Sequence, residues 1–377
     1  MDNILLSAAL AFLITFFAIP VIIQIARDKK LFDEPDERKV HKIVIPTLGG
    51  LGIFAGFIIA MLMGVPLNVS GEIQYFAAAS IVIFFLGMKD DILIISASKK
   101  LVGQLIAAGI IIRFGGVQLT NMHGFLGIYE LPHIASIILT MFTVVVITNS
   151  FNLIDGIDGL AGSLGFLTAI VFGTYFFMNG QSAYAVMAFA LAGSLIGFLI
   201  YNFSPAKIFM GDTGSLLLGL INSILVIKFI NLAGTVDIPY PLESSPALGF
   251  AILILPLFDT LRVFGLRLLD RRSPFSPDRN HIHHFLLDLG LTHRQITLTC
   301  VATNILFIAL AVTLRHLGTT TIVLMLLILS WTLTGIVFYL RQKKFNRSIV
   351  LEEARSESDM IKSHKIISLA PETVDSD

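Results

Sequence analysis

The chain has 377 residues, 55% hydrophobic and only 14% charged, and its 26 basic and 26 acidic residues cancel to zero net charge. So few charges cannot cover the surface of a soluble domain of this length, which leaves a polytopic membrane protein as the class. Neutrality gives no support to a nucleic-acid partner, and the single cysteine, Cys300, excludes an internal disulfide and a thiolate zinc site.

In chain order, apolar runs near the roughly 20 residues needed to cross a bilayer predict about eleven transmembrane helices. Their approximate limits are 3–26, 47–66, 73–88, 99–114, 133–148, 158–178, 182–201, 215–233, 247–266, 295–314 and 318–340. The expected fold is therefore all-α. The first run has no basic segment before it and is long enough to span, so it reads as a retained helix rather than a cleaved signal. In the second, Gly52-x-x-x-Gly56 is a small-residue packing pattern. The overlapping Gly50-x-Gly52-x-x-Ala55 mimics a dinucleotide fingerprint, but no strand precedes it, so it too reads as helix packing. Residues 1–340 are expected to form one membrane domain, and 341–377 a polar cytoplasmic tail, mobile or in part helical.

Basic residues set the expected orientation. The junction after the first span carries Arg27, Lys29, Lys30, Arg38, Lys39 and Lys42, and only Arg113, Lys228 and Arg315 fall on the opposite side. The positive-inside rule then places the N-terminus outside and the C-terminus in the cytoplasm. The cytoplasmic junctions become 27–46, 89–98, 149–157, 202–214, 267–294 and 341–377. The polar clusters of the chain fall in these same junctions. These junctions follow from Lys and Arg alone, so their coincidence with the acidic and histidine clusters is independent of those residues.

Asp90-Asp91 ends the third span; adjacent carboxylates in a partly dry site need a shared proton or a nearby cation. A solvated helix end is the plain alternative. More specific is the run Asn149, Asn152, Asp155 and Asp158, whose steps of three put all four on one helix face. Gly156 and Gly159 remove side chains beside the carboxylates, so a ligand can approach the backbone. Oxygen ligands of this kind suit Mg2+ shared with phosphate; the alternative is a turn built from Asn, Asp and Gly. In Gly211-Asp212-Thr213-Gly214-Ser215, Thr213 or Ser215 is expected to cap the eighth span, whose N-terminus favours a phosphate. Asp212 then needs a metal or a lysine beside it, with Lys207 the candidate. An ordinary helix cap is the serious alternative there. Arg279, His281, His283 and His284 lie in the largest cytoplasmic junction, with Arg267, Arg271 and Arg272 upstream, and suit a diphosphate. A zinc site lacks the Glu of His-Glu-x-x-His, and a lipid-headgroup contact explains the arginines but not the clustered histidines.

Together, Asp90-Asp91, Asn-x-x-Asn-x-x-Asp-Gly-x-Asp-Gly-Leu-Ala (149–161), Met-Gly-Asp-Thr-Gly-Ser (210–215) and His-Ile-His-His (281–284) resemble the polyprenyl-phosphate N-acetylhexosamine-1-phosphate transferases. Pro46-Thr-Leu-Gly-Gly50 and Pro256-Leu-Phe-Asp259-Thr look like the same family. The resemblance spans roughly residues 1–340 and implies an enzyme of the bacterial plasma (inner) membrane, with its site on the cytoplasmic side. It implies transfer of a sugar-1-phosphate from a UDP-N-acetylhexosamine to polyprenyl (undecaprenyl) phosphate with release of UMP, starting a cell-surface polysaccharide. The histidine motif has the form of the N-acetylglucosamine-type members. By motif position Asn152 and Asp212 look like ligands of Mg2+, with Mn2+ as a substitute. Asp90 and Asp91 match lipid-phosphate activation, Asp155, Gly156 and Asp158 the nucleotide side, and Asn202 a uridine-side position. Arg279 and the histidines match the sugar or diphosphate contact. Membrane lipid is the expected surrounding, and a homodimer is compatible with the family. An ion-coupled transporter is the rival reading, but its carboxylates belong near mid-span rather than at helix ends.

Overall fold

The computed structural model describes residues 2–29, 45–65, 71–93, 95–235, 237–272 and 280–367, with side chains described as far as residue 347. It is a helical bundle in the order α1 (Asp2–Asp28), α2 (Gly49–Gly64), α3 (Ile73–Ile92), α4 (Ala97–Arg113), β1 (Asn121–Phe125), β2 (Ile128–Glu130), α5 (His133–Ile154), α6 (Leu160–Met178), α7 (Ser182–Asn202), α8 (Gly211–Ala233), α9 (Ser245–Ile252), α10 (Ile254–Leu269), α11 (Ile282–Asp288), α12 (His293–Thr313) and α13 (Thr319–Ile367). The expected all-α class holds, apart from one antiparallel hairpin, β1–β2, turning at Leu126-Gly127. The hairpin joins the C-terminus of α4 to the N-terminus of α5, at the end of the bundle away from the acidic motifs.

Ten of the eleven expected spans each coincide with one helix and 247–266 with two, because long apolar runs satisfy their own backbone in hydrocarbon only that way. Length and composition nevertheless qualify eight helices among the described residues as spans, or nine if α9 and α10 together make one. The count of eleven also included α2 and α4, which are 16 and 17 residues long. α13 continues as helix through the expected domain boundary at 340. The last residues of the expected tail, 368–377, lie outside the described residues.

Two features of the bundle position the site. First, α8 is buried on nearly every face and is packed by α2, α3, α5, α6 and α9. Close approach needs small residues: a Cβ on Gly50 of α2 would run into the backbone of Gly214 and the side chain of Thr213. The expected packing role of Gly52 and Gly56 holds as well. They face Ile19 and Thr15 of α1, and the Thr15 hydroxyl donates to the Gly52 carbonyl at 3.0 Å. Second, the expected span 247–266 is broken, with α9 and α10 meeting at 84°. Pro256 has no N–H for the Ile252 carbonyl. Asn304 of α12 replaces it, donating to Ile252 O at 3.0 Å and accepting from Leu255 N at 3.4 Å. The bend turns α10 so that Asp259 and Arg262 reach the segment at 280–282.

Candidate active site

The acidic motifs meet at one end of the bundle. The segment before α8 pairs with the segment before α2: Phe209 N donates to Pro46 O at 2.8 Å, and Gly49 N to Phe209 O at 2.9 Å. This pairing sets the first turn of α8 against the last turn of α3. Asp91 accepts there from Asp212 N at 2.7 Å, Thr213 N at 3.0 Å and the Thr213 hydroxyl at 2.5 Å. Asp90 turns the other way, accepting from Ile95 N at 2.8 Å and pairing with Lys100 at 2.5 Å. Lys100, one turn into α4, also pairs with Asp212, so a mostly buried ammonium lies between two carboxylates. Asp212 further accepts from the Asn152 amide at 2.6 Å, and that amide also donates to Ser215 at 3.0 Å.

The Asn149–Asp158 run is not one continuous helix face. α5 ends at Ile154, and Asp155 to Gly159 turn into α6, with Gly159 at φ 75°. Asn149 is buried in a pair with Gln104 of α4, at 2.8 and 3.3 Å, and serves helix packing. Asn152 alone points from the helix to Asp212. Among the described residues, the Asp155 carboxylate receives no hydrogen bond or ion pair. Burial, followed by the negative charges of Asp212, Asp91 and Asp158, pushes it well above the usual carboxylate range. Asp158 is tied on two sides, to Ala206 N at 3.1 Å and to His293 Nδ1 at 3.1 Å. Asn202 is spent in the same way: it accepts from Gly159 N at 2.9 Å and donates to Ile208 O at 2.8 Å.

The histidine motif closes over this turn. His281 Nδ1 lies 2.9 Å from Asp259, which also accepts from Arg262 at 2.8 Å and Ile282 N at 3.1 Å. The rings of His281 and His283 stack at 5.6 Å, and that of His284 lies 4.3 Å from His283. His283 sits over Gly156, so the space left by that glycine faces an imidazole. Burial, then the neighbouring His284, pulls the His283 pKa down to about 3, so the ring is neutral at physiological pH. Its Nδ1 is buried without a partner among the described residues.

Set against the sequence, Asp90, Asp91, Asn152, Asp155, Gly156, Asp158, Asn202, Asp212, His281, His283 and His284 come together, and Arg279 lies outside the described residues. Three expectations are corrected. The lysine beside Asp212 is Lys100, whereas Lys207 is exposed with no side-chain partner among the described residues. Neither Thr213 nor Ser215 caps α8; the cap comes from Asp91 on another helix. The four-residue helix face is cut at Ile154, because Gly156 and Gly159 end α5 and start α6. Sequence reasoning does not single out Lys100, Asp259 or His293 as site residues. Lys100 falls within the expected apolar span 99–114, where the lysine pair at its start is the visible signal. Asp259 stood within a family-like segment, but only the helix break brings it near His281.

No group of three or more His, Cys, Asp or Glu side chains among the described residues is arranged to hold a metal by itself. Two carboxylates are available instead, Asp212 and the uncompensated Asp155, beside the Asn152 amide. Such a sparse oxygen set fits Mg2+, which takes one or two carboxylates and completes its shell with water and phosphate oxygens.

Residues 73–230, from α3 through most of α8, match the model of the glycosyl transferase family 4. A probable undecaprenyl-phosphate N-acetylglucosaminyl 1-phosphate transferase of Bacillus subtilis is 31% identical over 325 residues, 84% of this chain and 87% of that protein. A decaprenyl-phosphate N-acetylglucosaminephosphotransferase of Mycobacterium leprae is 34% identical over 76% of this chain and 78% of its own length. The undecaprenyl-phosphate alpha-N-acetylglucosaminyl 1-phosphate transferase of Escherichia coli K12 is 30% identical over 83% and 84% respectively. With similarity of this extent running through the helices that build the acidic cluster, the chain belongs to glycosyl transferase family 4.

Proposed function

We propose that the protein transfers N-acetylglucosamine-1-phosphate from its UDP-sugar to undecaprenyl phosphate, at the cytoplasmic face of the bacterial plasma membrane, releasing UMP. The observation that carries this reading is the convergence of Asp90, Lys100, Asn152, Asp155 and Asp212 from α3, α4, α5 and α8 at one end of the bundle. The named relatives share the polyprenyl-phosphate acceptor and the N-acetylglucosamine phosphate. The loops on that side hold nearly all the basic residues, which supports a cytoplasmic site.

A lipid phosphomonoester loses its second proton near pH ~6, so at neutral pH it is already the nucleophile and needs no strong base. Its oxygen bonds to the phosphorus that carries the sugar, and the bond from that phosphorus to the bridging oxygen of UMP breaks. Catalysis is therefore mainly positioning and charge stabilisation. Lys100 supplies a fixed cation, held by Asp90 and Asp212. Asp212 and Asn152, with Asp155 beside them, would hold Mg2+ or Mn2+, which when bound neutralises phosphate charge. Asp158 keeps the 155–159 turn fixed to α12 through His293. Neutral His283, over Gly156, and Asp259-supported His281 would contact the sugar or diphosphate of the donor. Asp212→Asn should abolish Mg2+-dependent UMP release from UDP-N-acetylglucosamine and undecaprenyl phosphate. Wild-type turnover in that variant would remove the metal role, and failure of the intact protein with every UDP-sugar would overturn the function.

A further inference from the structure

Asp90 and Asp91 are neighbours in sequence but face different partners. Asp90 shares Lys100 with Asp212. Asp91 accepts three hydrogen bonds from the first turn of α8: two backbone N–H groups, of Asp212 and Thr213, and the Thr213 hydroxyl. α8 has no capping side chain of its own, since Met210 precedes it in helical backbone conformation. The fit is tight. A Cβ on Gly87, one turn before Asp91, would strike the Thr213 backbone, and one on Gly211 would lie 2.8 Å from both Asp91 oxygens. Gly211 also holds φ 69°, which a side chain rarely adopts.

Resting on the transferase reading above, we propose that Asp91 is a positioning residue. Its carboxylate is the N-cap of α8, supplied by α3, and it holds the backbone that aims the Asp212 carboxylate at Lys100 and Asn152. The first N–H groups of a helix are unsatisfied donors, and here a carboxylate of the protein takes two of them and opposes the positive end of the helix. The α8 N-terminus is thereby closed to a substrate phosphate. Of the two adjacent acids, only Asp90 is left to face the reacting phosphates through Lys100.

A cap and a proton acceptor respond differently to substitution. Asn is an N-cap residue like Asp; it keeps one of the two acceptor oxygens that Asp91 offers to the Asp212 and Thr213 N–H groups, and it takes up no proton at neutral pH. Asp91→Asn and Asp91→Ala are compared in the full-length protein with Mg2+, UDP-N-acetylglucosamine and undecaprenyl phosphate. Three quantities are read: kcat, KM for both substrates, and hydrogen–deuterium exchange over residues 210–216. The expected result is that Asn keeps kcat within about tenfold of wild type. Ala should lose at least a further tenfold, with both KM values within about twofold and with faster exchange confined to the start of α8. Equal inactivity of Asn and Ala with wild-type exchange would overturn the proposal. If Ala fails to fold, Asn decides: retained turnover supports the cap, and a loss above 1000-fold with native exchange sinks it. Should the wild type itself fail to release UMP, the transferase reading falls. The exchange comparison still tests the cap, which unchanged exchange in Ala would refute.

Discussion

Gly156→Ala is a small change whose effect can be worked from the geometry. The backbone at this position is ordinary for an L-residue, so no conformational penalty is expected. The added Cβ would lie 2.8 Å from His283 Nε2 and 3.4 and 3.5 Å from Cε1 and Cδ2. Ordinary contact begins near 3.4 Å, so the ring or the turn must give about 0.6 Å. His283 is 3% exposed and is flanked by the rings of His281 and His284, so it has little room to swing. Overpacking of this kind costs about 1–3 kcal/mol of stability. A 1 Å misplacement near the chemistry costs up to ~100-fold in rate, so about tenfold is expected here. The assay is kcat for UMP release, with thermal stability read alongside, in a double-mutant cycle with His283→Ala. In the His283→Ala background the clash is gone, and Gly156→Ala should add less than about a twofold rate change and no further loss of melting temperature. A wild-type kcat in Gly156→Ala, or the full penalty persisting without the imidazole, would refute the reasoning.

Replacing Lys100 with Met removes the cation between Asp90 and Asp212, and kcat should fall ~100- to 1000-fold, as for other preorganised charge-stabilising groups. Lys207→Ala, at an exposed residue, should stay within about twofold of wild type; the reverse ranking in UMP release would assign the catalytic cation to Lys207 instead. Asn202→Ala leaves Gly159 N and Ile208 O without their partner, which should cost about 2–4 kcal/mol in denaturant titration. A raised KM for the UDP-sugar with unchanged stability would instead assign Asn202 to the uridine. His283 holds its proton less tightly when folded, with a pKa near 3. Its contribution to stability is full above the unfolded value near ~6.5 and is lost as pH falls towards 3. Melting temperature followed across that window should show a decline in wild type that is reduced in His283→Gln. Asp155 works in the opposite sense: its raised pKa makes the metal-free fold less stable as pH rises above the ordinary carboxylate value, and Mg2+ should cancel that decline.

The four clustered motifs were legible because charge in an apolar chain is expensive and therefore rare, so each occurrence stood out at the end of a hydrophobic run. The alternation of span direction then predicted that Asp90, Asn152, Asp212 and His281 share one end of the bundle, and the structure brings them together. Individual roles were less legible. Asn149 and Asn152 differ only by their place on a helix, yet one packs against Gln104 and the other reaches Asp212. Asp90 and Asp91 differ only in which side of α3 they leave, yet one holds Lys100 and the other caps α8.

What the sequence alone determined is the helical membrane class, the approximate place of most spans and the acidic and histidine motifs of the polar cluster, because hydrophobic length and charge placement are local properties. Only the tertiary structure decided the partnerships. The Asp212–Lys100 and Asp158–His293 pairs join residues more than a hundred positions apart. The Asp259–His281 pair requires the break at Leu253 where Asn304 stands in for the missing N–H of Pro256. Which donor finds which acceptor depends on how close two backbones can come, and that was set by glycines whose neighbours no single stretch of sequence reveals.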